Sequence, residues 1–131
     1  MTDPLRAALF AILLLVVART ARAGQADVLD VKVTCTMSGT YDFAVTVRHA
    51  DTGWDHYADR WEVLGPDGTV LATRVLTHPH VEEQPVTRTL DDVHIPPGVT
   101  HVRVRAHDNV HGFGGAEKEV DLPSGPTRTP P

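Results

Sequence analysis

The sequence predicts an all-β fold: a single antiparallel sandwich of seven strands that follows an export signal. Two observations predict it. Beyond residue 23 no segment keeps an apolar helical period over three turns, whereas short strand-like runs recur between turn residues. The 108 residues left after residue 23 (131 − 23) also suit one domain with a single core. We therefore expect the sandwich domain at residues 24–122.

The N-terminal segment, residues 1–23, has the order of a removable secretion signal. Arg6 precedes an apolar run of twelve residues, shorter than the about twenty that a membrane-spanning helix needs. Ala21 and Ala23 then place small residues at the two positions that a signal peptidase reads, so we expect cleavage before Gly24. The processed protein is expected to be periplasmic or secreted, without a membrane attachment.

Alternation of apolar and polar side chains predicts the first three strands at residues 28–37, 41–49 and 60–64. In the first strand the apolar parity includes Cys35 and Met37, so both side chains are expected in the core. Cys35 is the only cysteine of the chain. An intrachain disulfide is therefore excluded, and the apolar core must hold the fold alone.

The last four strands are predicted at residues 69–76, 86–90, 102–106 and 116–122, and the fifth is expected to continue irregularly towards residue 95. A tight turn at Pro66-Asp67-Gly68 separates the third and fourth strands. The proline-rich end of the chain, residues 123–131, has nothing to bury and is expected to be a disordered tail.

The strand pattern resembles immunoglobulin and fibronectin type III sandwiches. The resemblance rests on seven strands, on Trp61 in the third strand and on the turn Pro96-Pro97-Gly98 before the sixth. It implies that strands two and six face each other across the core. His101 opens the sixth strand, where the fibronectin family has a tyrosine.

The net charge excludes two classes of partner. Removing the signal takes away Arg6, Arg19, Arg22 and Asp3, which leaves 9 basic and 16 acidic residues and a formal charge of −7. An acidic domain without a basic stripe repels phosphate backbones, so nucleic acid is not expected as a partner. Anionic membrane surfaces are disfavoured for the same reason.

Most of the histidines are predicted to gather at one end of the sandwich. Antiparallel strands alternate in direction, so the loops after strands two, four and six open at the same end. These loops, residues 50–58, 77–85 and 108–115, are called the rim below. Six of the eight histidines lie in the rim or at its strand edges: His49, His56, His78, His80, His107 and His111.

Neutral imidazole is the commonest protein ligand for transition metals, and several must converge to form a site. His78-Pro79-His80 is a favourable local pair, since the residue before proline is extended. By strand parity His49 and Asp108 both continue inward-facing series and are expected to meet at the mouth of the core. The candidate metal ligands are His49, His56, His78, His80, Asp108 and His111.

A narrower resemblance points to the same residues. The segments Asp55-His56-Tyr57, Trp61-Glu62-Val63 and 105–113 (RAHDNVHGF) resemble the iron-site segments of superoxide reductases, the desulfoferrodoxin family. That resemblance implies an immunoglobulin-like fold and an iron site. His49, His56 and His111 would stand where family ligands stand, and Asp108 would replace the ligating cysteine.

Three functions follow as alternatives. The first is an exported protein that binds Zn or Cu through the rim, with Fe less favoured. The second is a metal-free interaction or carrier module for an exported protein partner, which uses the rim aromatics Trp54, Tyr57 and Phe113. The third is an iron protein like superoxide reductase. No catalytic residue is expected, because the only two serines lie in a turn and in the tail.

Overall fold

The computed structural model describes residues 24–125, and these residues form an all-β fold of seven strands in two antiparallel sheets. The predicted fold class is therefore confirmed. The predicted signal, residues 1–23, and residues 126–131 of the predicted tail lie outside the described residues. Within the described part of the chain there is no helix long and apolar enough to cross a membrane.

Each predicted run becomes a strand, with its ends moved by a few residues. One sheet has three strands in the order β1-β2-β5, and the other has four in the order β4-β3-β6-β7. The strands are β1 (Asp27–Cys35), β2 (Tyr41–Arg48), β3 (Ala58–Leu64), β4 (Val70–Val75), β5 (Val86–Val93), β6 (His101–Asp108) and β7 (Lys118–Asp121).

The core lies between the two sheets and is filled mainly by the inward parity of β2, β3 and β6. Trp61 and Phe43 are its largest members, and both are fully buried. Cys35 is buried, as its parity predicts. The expectation for Met37 is wrong: β1 ends at Cys35, so Met37 lies in the following turn with 84% of its surface exposed.

Two strand ends position the residues described next. The β6 strand runs to Asp108, where it pairs with Ala58 at the start of β3, and the inward alternation therefore continues to that carboxylate. The β2 strand ends at Arg48, so His49 is the first residue beyond it and keeps the inward direction of Val47. One residue from each sheet thus reaches the same end of the core.

Candidate metal site

The mouth of the core holds a cluster of two histidines and one carboxylate. His49 and Asp108 are buried, and His56 enters from the β2–β3 loop with a partly exposed ring. One potential ligand atom from each of the three lies within 4.8 Å of the other two. The meeting of His49 and Asp108 is the arrangement that strand parity predicts. This set is called the His49–His56–Asp108 cluster below.

The polar atoms of the cluster are in direct contact. The Nε2 atoms of His49 and His56 lie 3.2 Å apart, and His56 Nε2 lies 3.3 Å from Asp108 Oδ1. The main-chain carbonyl oxygen of Gly24 lies 2.9 Å from His49 Nε2 and 3.2 Å from His56 Nε2. His56 Nε2 therefore has three other nitrogen or oxygen atoms within 3.3 Å.

Asp51 fixes the orientation of the His49 ring. Its buried carboxylate accepts a hydrogen bond from His49 Nδ1 at 2.5 Å and another from the backbone N–H of Ala58 at 3.0 Å. The second carboxylate oxygen accepts from the backbone N–H of His80 at 2.7 Å. Since a carboxylate only accepts, the proton of neutral His49 sits on Nδ1, and the lone pair of Nε2 faces the cluster.

Asp108 is held as a carboxylate by its own turn. Burial by itself would raise its pKa, but hydrogen bonds from the backbone N–H groups of His111 and Val110, together with the nearby rings of His111 and His49, lower the pKa below its usual value. These bonds converge on Oδ1. The other oxygen, Oδ2, is buried and has no hydrogen-bond partner.

The His56 loop is tied to the β6–β7 turn by Asn109. The side-chain oxygen of Asn109 accepts from the backbone N–H of Tyr57 at 2.9 Å, and its amide nitrogen donates to the carbonyl of Trp54 at 2.9 Å. The backbone N–H of Asn109 donates to the carbonyl of Tyr57 at 3.1 Å. These bonds keep His56 beside Asp108, although the two residues come from different loops.

His111 borders the cluster. Its Nδ1 lies 3.2 Å from Asp108 Oδ1, and its ring centroid lies 4.9 Å from that of His56. The side chain is partly exposed. His111 is therefore placed to approach the cluster from the solvent side.

The His78–His80 pair lies apart from the cluster. His80 is buried, and its Nε2 contacts the guanidinium of Arg88 at 3.1 Å. His78 is exposed, and its ring packs on that of His80 with 4.4 Å between centroids. Burial, and then the charge of Arg88, lowers the pKa of His80. The part of this pair in metal binding stays a prediction.

The remaining rim histidine, His107, belongs to the outer face of the four-stranded sheet. Its Nδ1 contacts the carboxylate of Asp59 at 2.6 Å, and its ring packs against Phe113 with 4.7 Å between centroids. The guanidinium of Arg105 lies over the Phe113 ring, 3.7 Å from its centroid. This side chain is therefore engaged away from the cluster.

Two residues of the site were not anticipated from the sequence. Asp51 has only a weak signal, its position two residues after an inward-facing histidine. No signal in the sequence marks Gly24 as a site residue, because no local pattern indicates that the start of the domain folds over the rim. The other carboxylates of these loops, Asp55 and the Glu82-Glu83 pair, are exposed.

Comparison with known proteins gives one relative. The chain is 41% identical over 104 residues to a protein of Halomicrobium mukohataei named "Putative lipoprotein". The match covers 79% of this chain and 51% of that protein, so the chain spans about half the length of its relative. No protein-family model matches the chain, and no solved structure matches it.

Proposed function

We propose that this protein is an exported or cell-envelope sandwich protein that binds one Zn²⁺ or Cu²⁺ ion at the His49–His56–Asp108 cluster. His111 is the fourth side chain of the proposed site. Imidazole nitrogens with one carboxylate form a donor set that suits both ions. Export is supported by the signal-like N-terminal segment and by a relative whose name describes a lipoprotein.

The observation that carries the proposal is a shortage of protons. In neutral His49, Nε2 has no proton when Nδ1 donates to Asp51, and neither the Gly24 carbonyl nor the Asp108 carboxylate can donate. One proton on His56 Nε2 can satisfy only one of its contacts at 3.2–3.3 Å. A positive charge between these atoms would turn the unfavourable acceptor–acceptor contacts into attraction.

A metal ion accounts for these contacts better than an extra proton. Neighbouring ligand atoms about 2.0–2.1 Å from zinc lie roughly 3.3–3.4 Å from one another in tetrahedral geometry and roughly 2.8–3.0 Å in octahedral geometry. The contacts of the cluster, 2.9–3.3 Å, fall close to these ranges. The unpartnered Oδ2 of Asp108 also has no group to accept from, which is costly for a buried carboxylate oxygen unless a cation is near.

The resemblance to superoxide reductases is supported only as far as a metal cradle. Cys35 ends β1 beside Tyr41, at the start of β2, whereas His49 follows the end of β2. The eight residues of β2 separate those two ends by roughly 24 Å. Cys35 is therefore too far away to supply a thiolate, and Asp108 takes that position in the proposed site. Membership of the immunoglobulin or fibronectin class stays a prediction.

The test is metal titration of the full chain purified from the exported fraction and stripped with a chelator. We expect one equivalent of Zn²⁺ or Cu²⁺ to bind, and His56→Ala to weaken binding by about 100-fold or more, since even loss of an outer partner of a ligand costs roughly 10–100-fold. His94→Ala is the matched control, because His94 is exposed at the opposite end of the sandwich. Equal binding by both variants would rule out the cluster as the site.

A metal-free interaction module is the second candidate. Trp54 is 65% exposed and packs edge-on against Tyr57, with ring centroids 5.6 Å apart. An exposed aromatic pair on a loop supported by a rigid sandwich is typical of protein contact surfaces. In this case Trp54→Ala would weaken the binding of an exported partner in a pull-down, and a chelator would leave that binding unchanged. Partner binding that requires metal would count against this candidate.

A further inference from the structure

Resting on the proposed metal site, we infer that the main chain of Gly24 is itself part of that site: its carbonyl oxygen, together with the α-amino group freed by cleavage before Gly24, chelates the ion. The processing step would then create the complete site. The inference starts from the Gly24 carbonyl oxygen, which lies within 3.2 Å of the Nε2 atoms of both His49 and His56.

The position of Gly24 leaves no room for a side chain. A Cβ atom there would lie 2.7 Å from Cε1 of the His111 ring. Gly24 therefore lies directly against His111 as well as His49 and His56, and a larger residue would push against the proposed ligands.

The adjoining segment is anchored, so this contact is not that of a loose chain end. Val28 donates a backbone hydrogen bond to the carbonyl of Ala116 at 2.8 Å, and the backbone N–H of Ala116 donates to the Asp27 carboxylate at 2.7 Å. Ala26 is buried in the core. A Cβ on Gly115 would lie 1.8 Å from the carbonyl oxygen of Ala26, so the two backbones approach as closely as glycine allows.

Cleavage at the predicted site would change the metal-binding groups of Gly24. Cleavage between Ala23 and Gly24 converts an amide nitrogen, which is a poor ligand while it keeps its proton, into a primary amine with a free lone pair once deprotonated. The amine and carbonyl of one residue close a five-membered ring around an ion. An extension at the N-terminus would keep the carbonyl and all side-chain ligands but remove this amine.

The experiment compares two proteins that differ only at the N-terminus: residues 24–131, and residues 21–131, which retain Ala21-Arg22-Ala23. Both contain all seven strands and the whole described core. Cu²⁺ affinity is measured by competition with a chelator. We expect the longer protein to bind about tenfold or more weakly, since losses at or near a ligand shell cost roughly 10–100-fold.

A spectroscopic readout separates ligation from a structural effect. Both proteins are labelled with ¹⁵N-glycine and loaded with Cu²⁺, and the hyperfine coupling of copper to the label is recorded. A strong ¹⁵N coupling is expected only in the protein that begins at Gly24. Equal affinities without that coupling would overturn the inference while leaving the histidine site in place. Failure of both proteins to bind copper or zinc would overturn the proposed function together with the inference.

Discussion

Asp51→Asn tests how far one buried carboxylate controls both stability and metal binding. The substitution keeps the size and shape of the side chain but replaces one acceptor oxygen by an NH₂ group. Asp51 accepts three hydrogen bonds, from the His49 ring and from the backbone N–H groups of Ala58 and His80. Whichever way the amide turns, at least one buried donor will face another donor.

The size of the effect follows from these three contacts. A hydrogen bond to a charged group contributes about 1.5–3 kcal/mol, and a buried donor left without a partner costs about 1–3 kcal/mol. Loss of one such bond and weakening of two to neutral strength gives an expected loss of about 2–4 kcal/mol. For a domain of this size that loss lowers Tm by roughly 10–20 °C. Metal affinity should fall roughly 10–100-fold, because His49 loses the carboxylate that fixes its tautomer.

The assay is urea unfolding in the presence of a chelator, followed by zinc titration of the folded variant. Asp55→Asn is the control, since it makes the same chemical change on an exposed residue of the same loop and should shift stability by less than about 0.5 kcal/mol. If Asp51→Asn unfolds at the urea concentration of the unmodified protein and binds zinc as tightly, Asp51 does not organise the site.

Three further outcomes are expected. The hydrogen bond of His101 with Asp121 raises the pKa of His101 above 6.5; burial opposes this shift and the charge of Glu119 adds to it. The stabilising contribution of this pair is therefore complete below pH 6.5 and is lost as pH rises through the raised pKa. NMR titration should show the raised pKa, and Asp121→Asn should return it towards 6.5. Gly115→Ala should destabilise the fold by about 1–3 kcal/mol or more through the contact with Ala26, whereas Gly125→Ala, which meets no neighbour within 4 Å, should not. Free zinc at 100 times Kd should stabilise the protein by about 2.7 kcal/mol in thermal unfolding, and excess chelator should abolish the gain; an unchanged Tm would contradict the metal proposal.

The sheets and one pair of site residues could be predicted from the sequence, because both follow from the alternation of side-chain direction along a β-strand, which has a period of two residues. Alternation gives the inward direction to Asp108 at the end of β6 and to His49 just beyond β2, and the sandwich then brings them together. The loops follow no such period. The proline predicts an extended His78-Pro79-His80 segment, but the direction of that segment depends on long-range bonds to Asp51 and Arg88, which no local pattern encodes.

The same limit explains why the sequence did not reveal Gly24. Its place is decided by β1 pairing with β2 and by the close approach of Gly115 to Ala26, a contact between residues 89 positions apart (115 − 26). Met37 shows the converse error. Alternation assigned it to the core, but β1 ends at Cys35, and Met37 lies two residues further along, in a turn.

The proposed ligands come from both sheets: His49 follows a strand of the three-stranded sheet, and Asp108 ends a strand of the four-stranded sheet. An ion bound between them would crosslink positions 59 residues apart (108 − 49) in a chain whose single cysteine cannot form an internal disulfide. In the chain-entropy treatment, closing a loop of that length corresponds to about 4 kcal/mol. The lifetime of the folded protein would then depend on the metal supply of its surroundings, where a disulfide would have made it depend on the redox state.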